Sequence, residues 1–208
     1  MSFETASSAY YDKQVNEAAM YNYALLIHET NFTGFGESVT VFENFLNEFP
    51  NSKYADKVND YLVEVYMTTK NYSAALNSIN KIKQPSQKIL EAKQDILFQL
   101  GTQAFTNMKT DEAIKLFNQS IALGEYDPEA RSNAYFWRGE SYYRLQEFEN
   151  AISDYRTYLN NTRQRSTDTY ALAHYNLGYS YFKQKDYPTA LSSFRKYTEL
   201  ETNKQAAA

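Results

Sequence analysis

The sequence predicts an all-α fold of repeated antiparallel helix pairs, and three observations lead to this prediction. The 208 residues include only 6 Gly and 4 Pro, which suits helices joined by short turns better than a turn-rich β fold. The 20 Tyr and 13 Phe supply many large side chains for packing between helices. The third observation is an internal repeat, and such self-similarity is the signature of a stacked array.

The repeat is marked by a small residue that recurs in steps of 38, 38 and 39 residues, at Ala75, Ala113, Ala151 and Ala190. Twelve residues before the last three alanines there is a glycine, at Gly101, Gly139 and Gly178. Four residues after each alanine there is a large apolar side chain, at Ile79, Phe117, Tyr155 and Phe194. We expect the glycine of each first helix to let the second helix approach closely. Because no single repeat can bury its apolar face alone, neighbouring repeats must stack.

An earlier stretch fits the same frame, with Ser38 at the alanine position. The sequence therefore predicts five repeats within residues 19–204, with bounds near 19–55, 56–93, 94–131, 132–170 and 171–204. Residues 1–18 are predicted to form a helix, which would be half of a truncated earlier repeat, and residues 205–208 a frayed tail. Gly34 and Gly36 are expected to mark the turn inside repeat one.

Composition and motifs argue against several classes of function. The formal net charge is −4 with no dense Lys/Arg cluster, which disfavours nucleic acid and anionic membranes as partners. No apolar run approaches the length of a membrane span. With no Cys, and with His28 and His174 in different repeats, we expect neither a metal site nor a cofactor. No phosphate loop, dinucleotide fingerprint or hydrolase motif is present, so the protein is not predicted to be an enzyme.

The repeated residues resemble the tetratricopeptide repeat, and the best-matching set is Leu177, Gly178, Tyr181, Tyr187, Ala190 and Phe194. The resemblance covers roughly residues 19–204. It departs from the family pattern in longer connections, in non-glycine residues at the first two glycine positions, and in having only one well-placed terminal proline, Pro50. The resemblance implies a right-handed superhelical solenoid of antiparallel helix pairs that acts as a non-enzymatic protein-binding scaffold.

One stretch carries a narrower resemblance. Residues 42–55 are similar to repeats in bacterial envelope proteins of this family, such as Tol-Pal coordinating proteins and outer-membrane assembly lipoproteins. This similarity favours a periplasmic or envelope-associated location, with the cytoplasm as the alternative.

In the family, the exposed face of each first helix lines a concave groove. Carried over to this sequence, the groove residues are Tyr23, Ile27, Asp60, Glu64, Phe98, Phe105, Phe136, Glu140, Tyr143, Arg144, Tyr175, Tyr179, Phe182 and Lys183. Aromatic residues dominate the last three repeats, which predicts apolar anchoring of a peptide or helix of another protein, with Arg144 and Lys183 reading acidic groups. Alternatively, the large residues narrow the groove and pack on neighbouring repeats.

Two rival functions and one exclusion follow from the same residues. The chaperone-binding members of the family bind a C-terminal carboxylate with basic and amide side chains. The matching places in repeats one and two hold Tyr23, Ile27, Asp60 and Glu64. An acidic or aliphatic lining repels a carboxylate, so this chaperone-binding function is excluded. Glycan binding is one rival, since Tyr and Asn can contact sugars, although Trp137 is the single tryptophan. Self-association through exposed end helices, giving a homo-oligomer, is the other.

Overall fold

The computed structural model describes residues 13–30, 35–163, 165 and 167–207. These residues form ten α-helices and no strand, so the predicted all-α class is confirmed. The helices are α1 (Lys13–Thr30), α2 (Phe35–Glu48), α3 (Ala55–Thr68), α4 (Tyr72–Ile79), α5 (Gln87–Thr106), α6 (Thr110–Ala122), α7 (Pro128–Arg144), α8 (Phe148–Asn161), α9 (Asp168–Lys183) and α10 (Tyr187–Ala207).

The chain divides into two compact units at Ile89 and Leu90, near the start of α5. In the first unit, α2 packs on α1 and α3, and α4 packs on α3. In the second unit, each helix from α6 to α10 packs on the next one along the chain. Helices that are neighbours in sequence are therefore neighbours in space, as expected for stacked pairs.

The predicted repeat bounds fall inside the first helix of each pair. Position 94 lies within α5, position 132 within α7 and position 171 within α9. Most of the predicted N-terminal helix lies outside the described residues, and α1 begins at Lys13 and continues through position 18 without a break. Gly34 also lies outside the described residues, whereas Gly36 belongs to α2. Of the predicted tail, residues 205–207 continue α10, and Ala208 lies outside the described residues.

The glycines act as the repeat pattern predicts. A methyl group added at Gly101 would lie 2.5 Å from Cε1 of Phe117, and one at Gly178 would lie 2.8 Å from the Phe194 ring. At Gly139 the same methyl group would lie 3.0 Å from Cε1 of Tyr155. In each pair, an aromatic ring of the second helix thus rests directly on the backbone of the first.

The turns inside the pairs share a backbone conformation that the sequence pattern does not predict. Lys70, Met108, Gln146 and Lys185 all adopt positive φ, between 56° and 67°, at the same place in four repeats. Each is followed by an amide that donates back to the first helix, for example Glu147 N to Tyr142 O at 2.9 Å. This arrangement is the left-handed cap that glycine usually provides, and here it is made by side-chain-bearing residues.

Two buried polar contacts tie the second unit together. Gln94, with no exposed surface, donates to Ser120 O at 2.8 Å and Gly124 O at 2.9 Å, which joins α5 to the end of α6. On α7, Arg138 forms a two-pronged ion pair with Asp154 of α8, at 2.7 Å and 2.6 Å. Because Asp154 is buried, removing Arg138 alone would leave an unpaired buried charge and destabilise the fold.

Candidate functional site

Four of the predicted groove residues lie in the first compact unit. Tyr23 and Ile27 are half-buried on α1. On α3, Asp60 is half-buried and Glu64 is exposed, and burial raises the pKa of the Asp60 carboxyl. This face is of mixed character, with apolar residues on one helix and acidic residues on the other.

Two predicted anchors in the second unit belong to the interior. Phe136 is 2% exposed, with its ring centroid 5.3 Å from that of Tyr158 and 6.0 Å from that of Tyr155. Phe105 is 5% exposed and packs edge-on against Trp137 at 5.1 Å. The prediction that these two rings anchor a partner is wrong, because core packing surrounds both. For Phe105 and Phe136, the alternative of packing on neighbouring repeats is the correct one.

Trp137 and Phe98 are also engaged within the fold. Trp137 is half-buried and makes edge-on contacts with the rings of Phe105 and Phe136. The half-buried Phe98 ring tilts against Phe117 at 6.3 Å. In this part of α5 and α7, the aromatic stripe serves mainly to pack helices together.

A cluster of accessible rings lies on the last two repeats. We call it the aromatic surface and define it by Tyr143 on α7, with Tyr175, Tyr179 and Phe182 on α9. Tyr179 is 37% exposed and Phe182 is 49% exposed. Their ring centroids are 6.4 Å apart, and Tyr175 lies 4.8 Å from Tyr179. Side chains of this size and exposure, held close together, form a ready apolar contact area.

One neighbour of this surface, Tyr187, is not among the groove residues predicted from the sequence. Tyr187 begins α10, and its ring lies 5.5 Å from the exposed ring of Phe182. It too is largely exposed. Tyr187 belongs to the repeat-defining residues of a second helix, and the groove rule selects residues of first helices only.

Hydroxyl groups give the aromatic surface a polar component. A hydrogen bond with Tyr179 raises the pKa of the Tyr175 phenol. Burial, with the nearby Tyr179 and Glu140, raises the pKa of Tyr143. The phenols therefore remain neutral at physiological pH and can both donate and accept hydrogen bonds.

Two cations border the aromatic surface. The guanidinium carbon of Arg144 lies 3.5 Å from the centroid of the Phe105 ring. Its Nη1 donates to Phe105 O at 3.0 Å, which fixes the side chain while leaving it exposed. Lys183, in the last turn of α9, is exposed as well.

Glu140 is held by the fold and does not project towards solvent. Its Oε1 accepts a hydrogen bond from Tyr155 Oη at 2.6 Å and another from Asn176 Nδ2. These contacts link α7 to α8 and α9. Burial raises the pKa of the Glu140 carboxyl, and the two hydrogen bonds and Arg144 oppose that shift. Glu140 thus supports the aromatic surface from beneath.

The remaining titratable candidates do not assemble a reactive centre. His174 is half-buried, its ring packs edge-on against Tyr170 at 5.1 Å, and burial lowers its pKa. Among the described residues, no group of three or more His, Asp or Glu side chains is arranged to hold a metal ion. None of the described helices combines the length and apolar character needed to cross a membrane.

Two stretches of the sequence match family models described as tetratricopeptide repeat, at residues 98–169 and 171–204. Together these matches cover slightly more than half of the chain. They confirm the family resemblance inferred from the spaced glycine, alanine and aromatic positions. A search of curated proteins by sequence found no match.

Several solved structures share the fold. MamA aligns with a TM-score of 0.56 and 19% identity, over 91% of this chain and 96% of that one. YrrB is described as a TPR protein with an unusual peptide-binding site. It aligns with a TM-score of 0.53 and 18% identity, over 97% of this chain and 93% of that one. BtubC from P. vanneervenii aligns with a TM-score of 0.52 and 15% identity, over 98% of this chain and 88% of that one. At these identities the likeness concerns the fold, and it confirms the predicted solenoid of helix pairs. The similarity to Tol-Pal and outer-membrane assembly proteins finds no counterpart in these matches.

Proposed function

Since the chain belongs to the tetratricopeptide repeat family, whose members are generally non-enzymatic scaffolds, we propose that it binds a peptide or helix of another protein on the aromatic surface. The observation that carries this proposal is the exposure of Tyr179 and Phe182 next to each other on α9. A solvated helix face would carry polar side chains at these positions. Tyr and Phe favour binding because they bring large area with few rotatable bonds.

The borders of the surface suggest the chemistry of the partner. Arg144 and Lys183 both end their helices at the edge of the rings. The nearby Glu140 carboxylate accepts hydrogen bonds from Tyr155 and Asn176. The surface therefore suits a segment with apolar side chains along its centre and acidic groups at its edge. Apolar anchors supply most of the affinity in such a contact, and the charges select the orientation.

The fold likeness to YrrB supports the same class of function, because that protein is described as having a peptide-binding site. We also propose an envelope-associated location, and its one ground is the sequence resemblance noted for residues 42–55, which the matched solved structures do not share. Fractionation of native cells, followed by detection of the protein, tests this part separately. Recovery in the cytoplasmic fraction would reject the envelope and leave the binding proposal untouched.

The binding proposal is tested with a double change, Tyr179→Ala with Phe182→Ala, in the full chain. Proximity labelling in native cells identifies partners of the wild-type protein, and each is then measured by affinity capture. We expect the double variant to lose at least about tenfold in recovered partner, since two anchor rings are removed.

A matched control is Tyr126→Ala, because Tyr126 is an exposed aromatic residue of the same compact unit that lies outside the aromatic surface. Its recovery should equal that of the wild type. Circular dichroism confirms that all three proteins keep the same helix content. Unchanged recovery by the double variant would show that binding occurs elsewhere.

A further inference from the structure

Repeat four shows what normally covers the far side of a helix pair in this chain. Phe136, Ile152, Tyr155 and Tyr158, on α7 and α8, form one buried cluster. The first helix of the next repeat, α9, packs Ala173 and Leu177 against that cluster. Ile152, in the middle of this contact, is 8% exposed as a result.

Repeat five carries the same face, and none of the described helices covers it. Thirty-nine residues after the members of the buried cluster come Tyr175, Leu191, Phe194 and Tyr197. Leu191, the equivalent of Ile152, is 51% exposed, and Phe194 is only half-buried. Tyr175, Phe194 and Tyr197 still contact one another, with ring centroids 5.1 Å to 5.8 Å apart along the chain of contacts. The face is therefore built like a helix-packing interface.

A stripe of α10 makes the open part of this face, and its residues line one shallow depression: Leu191, Phe194, Arg195, Thr198, Glu199 and Thr202. Arg195 and Glu199 are one helical turn apart within the stripe. If two copies of this helix pack antiparallel about a two-fold axis level with Tyr197, each Arg195 lies opposite Glu199 of the second copy. The charge pattern is thus complementary to itself, as an isologous interface requires.

We propose that a second copy of this chain covers the exposed face of repeat five, through antiparallel packing of the two α10 helices. Leu191 and Phe194 bury their exposed parts against the second copy, and the two Arg195–Glu199 pairs fix the register. This inference goes beyond the proposed binding function, because the residues that meet the second copy are on α10. The two surfaces adjoin, since Phe194 packs on Tyr175 and Tyr179 of the aromatic surface.

One contact within a single copy must rearrange. Glu199 pairs with Lys196 at 2.9 Å, with both side chains well exposed. Exposed pairs of this kind contribute little to stability, so Glu199 is free to turn towards an arginine of the second copy at small cost.

The first measurement is the molar mass of the full chain by light scattering, over protein concentrations from about 10 µM to about 200 µM, a range that covers weak dimers. One copy has a mass of 24.2 kDa, and we expect the average mass to approach twice that value as concentration rises. A mass that stays at 24.2 kDa over the whole range would overturn the proposal.

The second measurement places the interface. Leu191→Glu places one charge per copy at the apolar end of the α10 stripe, so we expect the dissociation constant to rise by at least about tenfold. Leu145→Glu is the matched control, because Leu145 is exposed to a similar degree and lies at the turn between α7 and α8. Leucine and glutamate have similar helix propensities, so α10 should stay intact. If Leu191→Glu and Leu145→Glu affect the dimer equally, the interface is not on α10.

A charge swap tests the register. Arg195→Glu alone and Glu199→Arg alone each place like charges opposite each other, and both should weaken the dimer. The double change restores opposite charges and should restore the dissociation constant to within a few-fold of the wild-type value. Antiparallel packing of α10 would be contradicted if none of the three variants changed the dissociation constant of the dimer. It would also be contradicted if the double variant failed to restore that constant.

Discussion

Repeats four and five place similar residues at matching positions, yet one interior is closed and the other is open. Phe136 in repeat four and Tyr175 in repeat five occupy the same position in the pattern, and only Phe136 is buried. The cause lies outside each pair, since α9 covers repeat four and no described helix covers repeat five. In a stacked array, the burial of a side chain is decided by the neighbouring repeat as much as by its own.

The largest expected effect is a loss of stability in repeat four, which has a buried ion pair that repeat five lacks. Arg138 pairs with the buried Asp154 in repeat four, whereas the same positions in repeat five hold Leu177 and Ser193. Arg138→Ala leaves the Asp154 carboxylate buried without its partner, and we expect the free energy of unfolding to fall by about 3–5 kcal/mol. Urea denaturation followed by circular dichroism measures this loss. Arg131→Ala, which removes an arginine paired with the exposed Glu125, should cost far less.

The two glycines sharpen the comparison further. In Gly139→Ala, the new methyl group meets Tyr155, which is fully buried and has no room to move. In Gly178→Ala it meets Phe194, which can shift towards the open side. We expect the first change to cost about 1–3 kcal/mol and the second to cost clearly less, partly offset in both cases by the better helix propensity of alanine. Thermal unfolding of the two variants, measured side by side, tests this difference. Equal losses of unfolding free energy would mean that repeat five is packed as tightly as repeat four.

The turns should behave alike in both repeats, because their geometry does not depend on covering helices. Gln146 and Lys185 have φ values of 61° and 67°, in the left-handed region that favours glycine. Gln146→Gly and Lys185→Gly should each stabilise the fold by about 1 kcal/mol. Denaturation midpoints provide the measurement. Destabilisation by either change would show that its side chain makes contacts that matter more than backbone strain.

The smallest expected effect concerns pH and Glu140, whose counterpart in repeat five is Tyr179. Burial raises the pKa of Glu140 above its unfolded value, so the folded state binds the proton more tightly. Its contribution to stability is therefore fully present at low pH and is lost as pH rises through the folded pKa. Glu140→Gln keeps the oxygen that accepts from Tyr155 and Asn176 but cannot ionise.

Stability curves of the two proteins should consequently converge in acid, and the glutamine variant should be the more stable at neutral pH. Chemical denaturation at several pH values, from below the ordinary carboxyl pKa up to neutral pH, provides the test. A wild-type protein that is more stable than Glu140→Gln at neutral pH would mean that the ionised carboxylate is stabilised by its surroundings.

The sequence was sufficient for the helix pairs because their packing is local. Gly139 and Ala151 recur at fixed spacing, and the structure brings the glycine under the ring of Tyr155. It was not sufficient for the turns, since Gln146 carries no glycine-like signal. The link between Gln94 and Ser120 was also missed, because a lone glutamine in a helix gives no sign of its distant partners.

The candidate site was predicted only in part. A groove rule based on helix faces selected both Phe182 and Phe136, and the structure leaves the first exposed and buries the second. Nothing in the local pattern distinguishes them, because the difference arises from where α9 packs. Tyr187 was missed because it begins α10, a second helix, whereas the groove rule selects residues of first helices.

The contrast between the closed and the open repeat is tested most directly by nitration of tyrosine in the folded protein, followed by peptide mass spectrometry. It is best done at low concentration, where a dimer through α10 would dissociate. Tyr179 and Tyr187, both exposed, should be nitrated early, while the buried Tyr155 and Tyr158 should stay unmodified until the protein unfolds. Equal rates for Tyr155 and Tyr187, or protection of Tyr179 in the monomer, would contradict the account.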